Sequence, residues 1–231
     1  MPTGPYAAWM GTSAAPDPAT HADVLALCTE LTDAFRDLDE ARAEDVLDQC
    51  FAAMPLEDAL RDVVVPLMHG VGDDWATGAF SVAQEHFATA VTSTVLASIA
   101  ARLPRRGARA GRALVSGTPG ERHALGARMV SDFLASAGWD VALAEAPADA
   151  AEIRTRATES RASLVALSTS LPWLLPEARA VCVALKALDP APRVVVGGRA
   201  YKGDPKLGAM VGADAFAPDP MALLDDLAVA G

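Results

Sequence analysis

The stretch Ser116-Gly117-Thr118-Pro119-Gly120-Glu121-Arg122-His123-Ala124-Leu125-Gly126 decides how the second half of this chain is read. Before it, Ala113 to Ser116 is a short apolar run of β type; after it, Leu125 to Ala137 carries apolar residues at helical spacing. A strand, a turn rich in glycine and a helix, in that order, form one β/α unit. The unit recurs. Further β-type runs lie at Val141 to Ala144, Leu164 to Leu167, Val194 to Val196 and Ala215 to Ala217. They alternate with helical segments at Ala150 to Ser160, Pro176 to Leu188, Pro205 to Val211 and Pro220 to Ala228. Strands separated by helices pair in parallel, because each helix carries the chain back to the same end of the sheet. Residues 112–231 are therefore expected to form a flavodoxin- or Rossmann-like, doubly wound, five-stranded parallel sheet. Such a sheet binds ligands outside the carboxyl ends of its strands, where the quoted stretch falls.

Towards the N-terminus the period changes. Residues 104–111 are rich in Arg, Gly and Pro and belong to a cluster of Arg102, Arg105, Arg106, Arg109 and Arg112, which reads as a solvated interdomain linker. Residues 21–103 are helical in pattern, with segments at Leu25 to Leu38, Val46 to Met54, Leu56 to Trp75 and Ser81 to Leu103. Asp39 is a candidate cap for the second helix, Pro55 opens the third, and Gly78 with Ser81 separates the third from the fourth. Short connections favour antiparallel neighbours, so this part is expected to be a four-helix bundle cap. Residues 1–20 lack the basic start and apolar run of a secretory signal and read as a flexible arm.

Composition agrees with two domains. With 231 residues, 52% hydrophobic and 21% charged, there is material for two cores. A net charge of −11 suits phosphate poorly, which argues against direct nucleic-acid binding. The three cysteines, Cys28, Cys50 and Cys182, have neither metal-ligand spacing nor an even count, in keeping with a reducing cytoplasm. No apolar run approaches the roughly 20 residues needed to span a bilayer, so no membrane role is expected.

A histidine in a glycine-rich loop at the mouth of a parallel sheet is a candidate metal ligand, because imidazole is neutral near pH 7 and the loop presents it outward. Here Glu121-x-His123-x-x-Gly126 is followed after 41 residues by Ser168-x-Ser170, and after 26 more by Gly197-Gly198. This series resembles the fingerprint of the methionine-synthase-like B12-binding domain, D-x-H-x-x-G, S-x-L and G-G with similar spacers. The resemblance implies that His123 is the lower ligand to cobalt, displacing the cofactor's own dimethylbenzimidazole. It implies that Glu121 takes the other ring N–H. Arg122 and Gly126 belong to the same binding loop, and Ser168, Ser170 and Leu171 would line the slot for the nucleotide tail. Gly197 and Gly198 would let the backbone pass close to that tail. Two departures stand out: Glu121 replaces the commoner Asp, and Ser170 occupies the motif's Leu position with Leu171 one place later.

In the helical part, Trp75 is followed after nine residues by Glu85-His86, with Val82 between them. This resembles the W-x9-E-H motif of the CarH/LitR-type adenosylcobalamin photoreceptors. That resemblance implies a flat apolar wall from Trp75 against the adenosyl group, ribose contacts from Glu85, and a pocket completed by Val82 and His86. It implies a light sensor, not an enzyme: photolysis of the Co–C bond removes a bulky upper ligand, the cap shifts, and the oligomer or a partner surface changes. In the best-known member a His follows the motif Trp; here Ala76 stands there, leaving His86 or His69 as substitutes. A winged-helix DNA-binding domain, present in CarH-like repressors, has no counterpart in the arm. Output is then expected through a homo-oligomer, dimer or tetramer, or through a downstream protein partner. Stand-alone relatives, the photocobilins, bind a bilin beside cobalamin, which admits biliverdin as a second chromophore.

Two other readings compete. A corrinoid shuttle of a methyltransferase system shares both domains but usually shows D-x-H-D-x-G-K-N, where this chain has Ala124 and Ala127-Arg128. A cofactor-free interaction module would make the spacings accidental.

Overall fold

Apolar side chains at helical spacing draw the N-terminal part into a bundle of four helical stretches. The structure, a computed structural model, describes residues 18–102 and 110–230. It divides into two compact units between Ala101 and Arg102. In the first unit, α1 (Pro18–Asp37) and α2 (Glu40–Ala53) are followed by a third stretch made of α3 (Leu56–Asp58), a π-helical segment (Ala59–Val64) and α4 (Val65–Thr77), and then by α5 (Val82–Arg102). Leu31, Phe35, Val46, Leu47, Cys50, Val63, Val71, Ala88 and Val91 are buried in its core. The Phe35 and Phe87 rings meet edge-on, 6.4 Å apart.

The helix boundaries follow local chemistry. Asp39 caps α2 by accepting the Arg42 N–H at 3.1 Å. Gly78, at φ 80°, ends α4 and donates its N–H to the Trp75 carbonyl at 3.0 Å. Ser81 and Gln84 form a reciprocal cap on α5: Gln84 Oε1 accepts the Ser81 N–H at 2.8 Å, and Ser81 Oγ accepts the Gln84 N–H at 3.3 Å. The third stretch was expected as one regular helix. Its π segment has a cause in Pro66, which has no N–H to give to Asp62; just before it, Val65 donates five residues back, to Leu60. Helix α1 starts at Pro18, three residues inside the stretch read as an arm, and the rest of that arm lies outside the described residues. So do residues 103–109, which include most of the expected linker.

The second unit is the expected doubly wound sheet. Strands β1 (Gly111–Gly117), β2 (Trp139–Ala144), β3 (Leu164–Ser168), β4 (Arg193–Gly197) and β5 (Ala215–Phe216) lie in the order β2-β1-β3-β4-β5, and every pairing is parallel. The connecting helices are α6 (Ala124–Ser136), α7 (Ala150–Ser160), α8 (Leu175–Lys186) and α9 (Pro205–Val211), and α10 (Pro220–Ala230) follows β5. Leu114, Val165, Leu167, Val194 and Val196 from the sheet pack with Ile153, Ala157, Val181, Cys182 and Leu185 from the helices. Two 3-10 turns, Pro172–Leu174 and Arg199–Tyr201, were not anticipated. From β1 the chain moves to β2 on one side, and β3 then lies on the other, so the switch point falls between β1 and β3. There Gly117 pairs with Ser168, and Ser168 pairs with Gly197.

Candidate functional site

At the switch point the chain leaves β1 through a tight turn. The Thr118 N–H donates to the Ser168 carbonyl at 2.9 Å, and the Glu121 N–H donates back to the Thr118 carbonyl at 2.8 Å. Gly120, at φ 85°, supplies the left-handed backbone the turn needs. The result drives Glu121 inward, where only 3% of it stays exposed. An interior carboxylate needs donors, and this one has them. Oε1 accepts from the Arg122 N–H at 3.0 Å, the His123 N–H at 2.9 Å and His123 Nδ1 at 2.5 Å; Oε2 accepts from the Ser170 N–H at 2.6 Å. Burial pushes the Glu121 carboxyl pKa up, but the bonds from His123 and from the Ser170 and His123 N–H groups outweigh it and hold it below the usual value.

The ionised Glu121 decides the chemistry of His123. A carboxylate at 2.5 Å accepts only from a protonated Nδ1, so in the neutral ring the metal-binding lone pair belongs to Nε2. His123 stands at the N-cap of α6 with its side chain 45% exposed. A half-exposed, oriented imidazole backed by a buried carboxylate fits a metal that arrives already held in a macrocycle, which needs one further ligand. Among the described residues, no three or more His, Cys, Asp or Glu gather as a metal cage.

The other residues singled out in this half come together around the same strand ends, in part for reasons the motif did not indicate. Ser168 ends β3, and its Oγ would lie 3.1 Å from a Cβ placed on Gly126. Ser170 acts on Glu121 through its backbone N–H, a role that any residue type except proline can fill. Leu171 caps the 3-10 turn Pro172–Leu174. The glycine pair has reasons inside the protein: a Cβ on Gly197 would sit 2.4 Å from the Ala217 carbonyl, and one on Gly198, at φ 106°, would sit 2.5 Å from the Thr169 carbonyl. Arg122 is exposed beside His123. Sequence reasoning missed three buried hydroxyls behind the loop, on Thr118, Thr169 and Tyr201.

In the helical unit, Trp75 occupies the last turn of α4, and Val82, Glu85 and His86 the first turns of α5, where positions i, i+3 and i+4 share a face. The four-residue connection between them is anchored by Phe80, which is buried under the Arg36 guanidinium at 5.5 Å. Trp75 is 47% exposed and Val82 54% exposed, each an apolar side chain left open to solvent. One turn after Val82, the Glu85 side chain is only 19% exposed; it accepts from Thr89 Oγ1 at 3.1 Å, with His86 Nε2 3.5 Å from its other oxygen. Thr89, one turn beyond Glu85, is a further residue that sequence reasoning missed. His69 is on the exposed side of α4.

Residues 27–99 match the family model described as a B12 binding domain, and residues 111–224 match a second model of the same description. Over 131 residues, 57% of this chain, the sequence is 31% identical to the HTH-type transcriptional repressor CarH of Myxococcus xanthus. The chain spans less than half the length of that relative, 43%. The monomethylamine corrinoid protein of Methanosarcina barkeri superimposes with a TM-score of 0.74, covering 89% of this chain and 99% of that one at 20% identity, so the two share a fold. A cobalamin-binding protein from Desulfitobacterium hafniense DCB-2 is 22% identical, with a TM-score of 0.46 over 88% of this chain and 96% of that one.

Proposed function

We propose, for a chain that belongs to the B12-binding proteins by both of its domains and so binds a cobalamin, the role of an adenosylcobalamin-dependent light sensor. The observation that carries the finer part of this reading is the open face of the helical unit. Trp75, in the last turn of α4, and Val82, in the first turn of α5, are exposed apolar side chains, and the Glu85 carboxylate, one turn after Val82, is steadied by Thr89 with His86 close by and offers an acceptor. A flat apolar surface next to a fixed acceptor suits a purine base and its ribose hydroxyls better than a bare methyl group.

In this role His123 would hold cobalt through Nε2, with Glu121 keeping the proton on Nδ1 and so fixing the ring's orientation. The loop around Arg122 and Gly126 and the strand ends at Ser168, Ser170, Leu171, Gly197 and Gly198 carry the nucleotide tail. Bound adenosylcobalamin supplies a cobalt–carbon bond that visible light cleaves. Trp75 and Val82 would hold the adenosyl group, and without it they would lack an apolar partner and the exposed surface of the helical unit would change. That change is read out as a change of self-association or by a downstream protein partner. Biliverdin as a second chromophore belongs to the same proposal, and no residue is assigned a catalytic role.

The test is reconstitution of the purified protein with adenosylcobalamin in the dark. A spectrum with nitrogen-ligated cobalt that depends on His123, an irreversible change under green light, and a light-dependent shift in sizing-column mass support the sensor. Preference for methylcobalamin with no light-dependent change in state favours the corrinoid shuttle instead. A new absorption band after adding biliverdin establishes the bilin.

A further inference from the structure

Behind Glu121 the α/β unit seals off three hydroxyls. Thr118, Thr169 and Tyr201 are each fully buried. Thr118 Oγ1 and Thr169 Oγ1 are 2.7 Å apart, Thr169 Oγ1 and the Tyr201 hydroxyl 3.3 Å, and Thr118 Oγ1 lies 3.3 Å from the Ser168 carbonyl. The carbonyl only accepts, so the protons run one way: Tyr201 donates to Thr169, Thr169 to Thr118, and Thr118 to Ser168. The Tyr201 ring packs against Phe216, 5.7 Å away. The surrounding core is apolar, and valine and phenylalanine fill the same volumes without needing partners. The hydroxyls therefore mark a requirement other than filling space.

Their location shows what that requirement is. Thr118 belongs to the loop that carries Glu121 and His123, and its carbonyl holds the Glu121 N–H at 2.8 Å. Thr169 directly precedes Ser170, whose N–H grips the far oxygen of the same carboxylate at 2.6 Å. Thr169 is itself pinned by the backbone: its N–H donates to the Gly197 carbonyl at 2.9 Å, and its carbonyl accepts the Ala200 N–H at 3.1 Å. The contact at 2.7 Å thus ties the loop in which Arg122 and His123 hold Glu121 Oε1 to the loop whose Ser170 N–H holds Oε2.

We propose that the Thr118–Thr169–Tyr201 chain positions the His123 imidazole: it holds the two strand-end loops at the spacing at which Ser170 and His123 share one carboxylate. The inference rests on the reading of His123 as the ligand of a bound cobalamin. None of the three hydroxyls touches the metal; they are positioning residues that act through Glu121.

The experiment compares wild type, Thr169→Val, Thr169→Ser, Tyr201→Phe and His123→Ala. Each protein is loaded with adenosylcobalamin in the dark, and its spectrum is read for nitrogen-ligated against ligand-free cobalt. Amide exchange at Ser170 and His123 is measured on the same proteins without cofactor. Loss of outer partners of a metal ligand weakens metal sites about 10- to 100-fold, and this more remote change should lie near about 10-fold in the ligated-to-unligated ratio. Thr169→Val should lower that ratio and speed exchange at Ser170 roughly five- to tenfold. Thr169→Ser should restore both, and Tyr201→Phe should show a smaller change in the same direction. A folded Thr169→Val protein with wild-type ligation and wild-type exchange overturns the proposal; if that variant does not fold, wild-type behaviour of Tyr201→Phe does so. Wild-type protein whose cobalt spectrum is unaffected by His123→Ala overturns the ligand reading instead, and the cofactor-free exchange then still decides whether the hydroxyls hold the two loops.

Discussion

Replacing Glu121 by Gln tests the electrostatic core of the site most directly. The two carboxylate oxygens accept four N–H donors, three on Oε1 and one on Oε2. An amide keeps the shape but has one acceptor oxygen, so its NH2 must face a donor. The better orientation keeps the oxygen with the three donors and turns the NH2 towards the Ser170 N–H, at a carboxylate whose side chain is 1% exposed. A buried donor left without an acceptor costs about 1–3 kcal/mol, and three bonds that lose their charged acceptor weaken by about 1 kcal/mol each. Relief from burying a charge offsets part of this, leaving a net loss of about 2–3 kcal/mol in the α/β unit. Urea denaturation of the cofactor-free variant at pH 7, followed by circular dichroism, reads that loss as a lower midpoint at unchanged slope. Amide exchange locates it at Ser170. Stability within about 0.5 kcal/mol of wild type, with the Ser170 amide still protected, would refute the account of Glu121 as the hub of the loop.

Glycine positions give a contrasting pair. Gly198→Ala places a Cβ against the Thr169 carbonyl at a φ of 106° and should cost about 2–4 kcal/mol, whereas Gly70→Ala, inside α4 with nothing within 4 Å of the new methyl, should gain about 0.5–1 kcal/mol; equal effects in thermal melts would contradict the packing described. Burial pushes the thiols of Cys50 and Cys182 up to about 11 and raises the half-buried Cys28, which lines a cavity with Thr32, Leu67 and Gly70. Mass spectrometry of native protein alkylated at pH 8 should therefore show Cys28 modified first, and rapid labelling of Cys182 would show that its helix opens. Burial pushes the Asp214 carboxyl upward, but the bonds from Lys186 and from the Val194 N–H outweigh it and hold it below the usual value. A depressed folded pKa stabilises above the unfolded value near 4, and that stabilisation is lost as pH falls further, so the stability gap between wild type and Asp214→Asn should close below about pH 4; a gap constant from pH 7 to 3 would exclude this pair as a source of acid sensitivity.

The sequence alone determined what depends on neighbours in the chain. Alternating β and helical runs specify the sheet class, and Asp39, Gly78 and Ser81 mark helix ends because capping involves residues only three or four apart. The Glu121–His123 pair was legible for the same reason: two positions in one loop place a carboxylate on a ring nitrogen. Local signals also failed in places. Leu38 ends α1 at φ 57°, where a glycine would have announced the turn, and the π segment before Pro66 was read as regular helix. Tertiary structure alone decided which strand ends stand side by side. Pairing of β1 with β3 brings Ser170 to Glu121 from 49 residues away and Thr169 to Thr118 from 51, and the turn after β4 brings Tyr201 to Thr169 from 32. Strand order is set by the packing of the whole sheet and its helices, so no short window of sequence records it. The carboxylate that orients His123 is visible in the chain; the clamp that holds the carboxylate exists only once the sheet has formed.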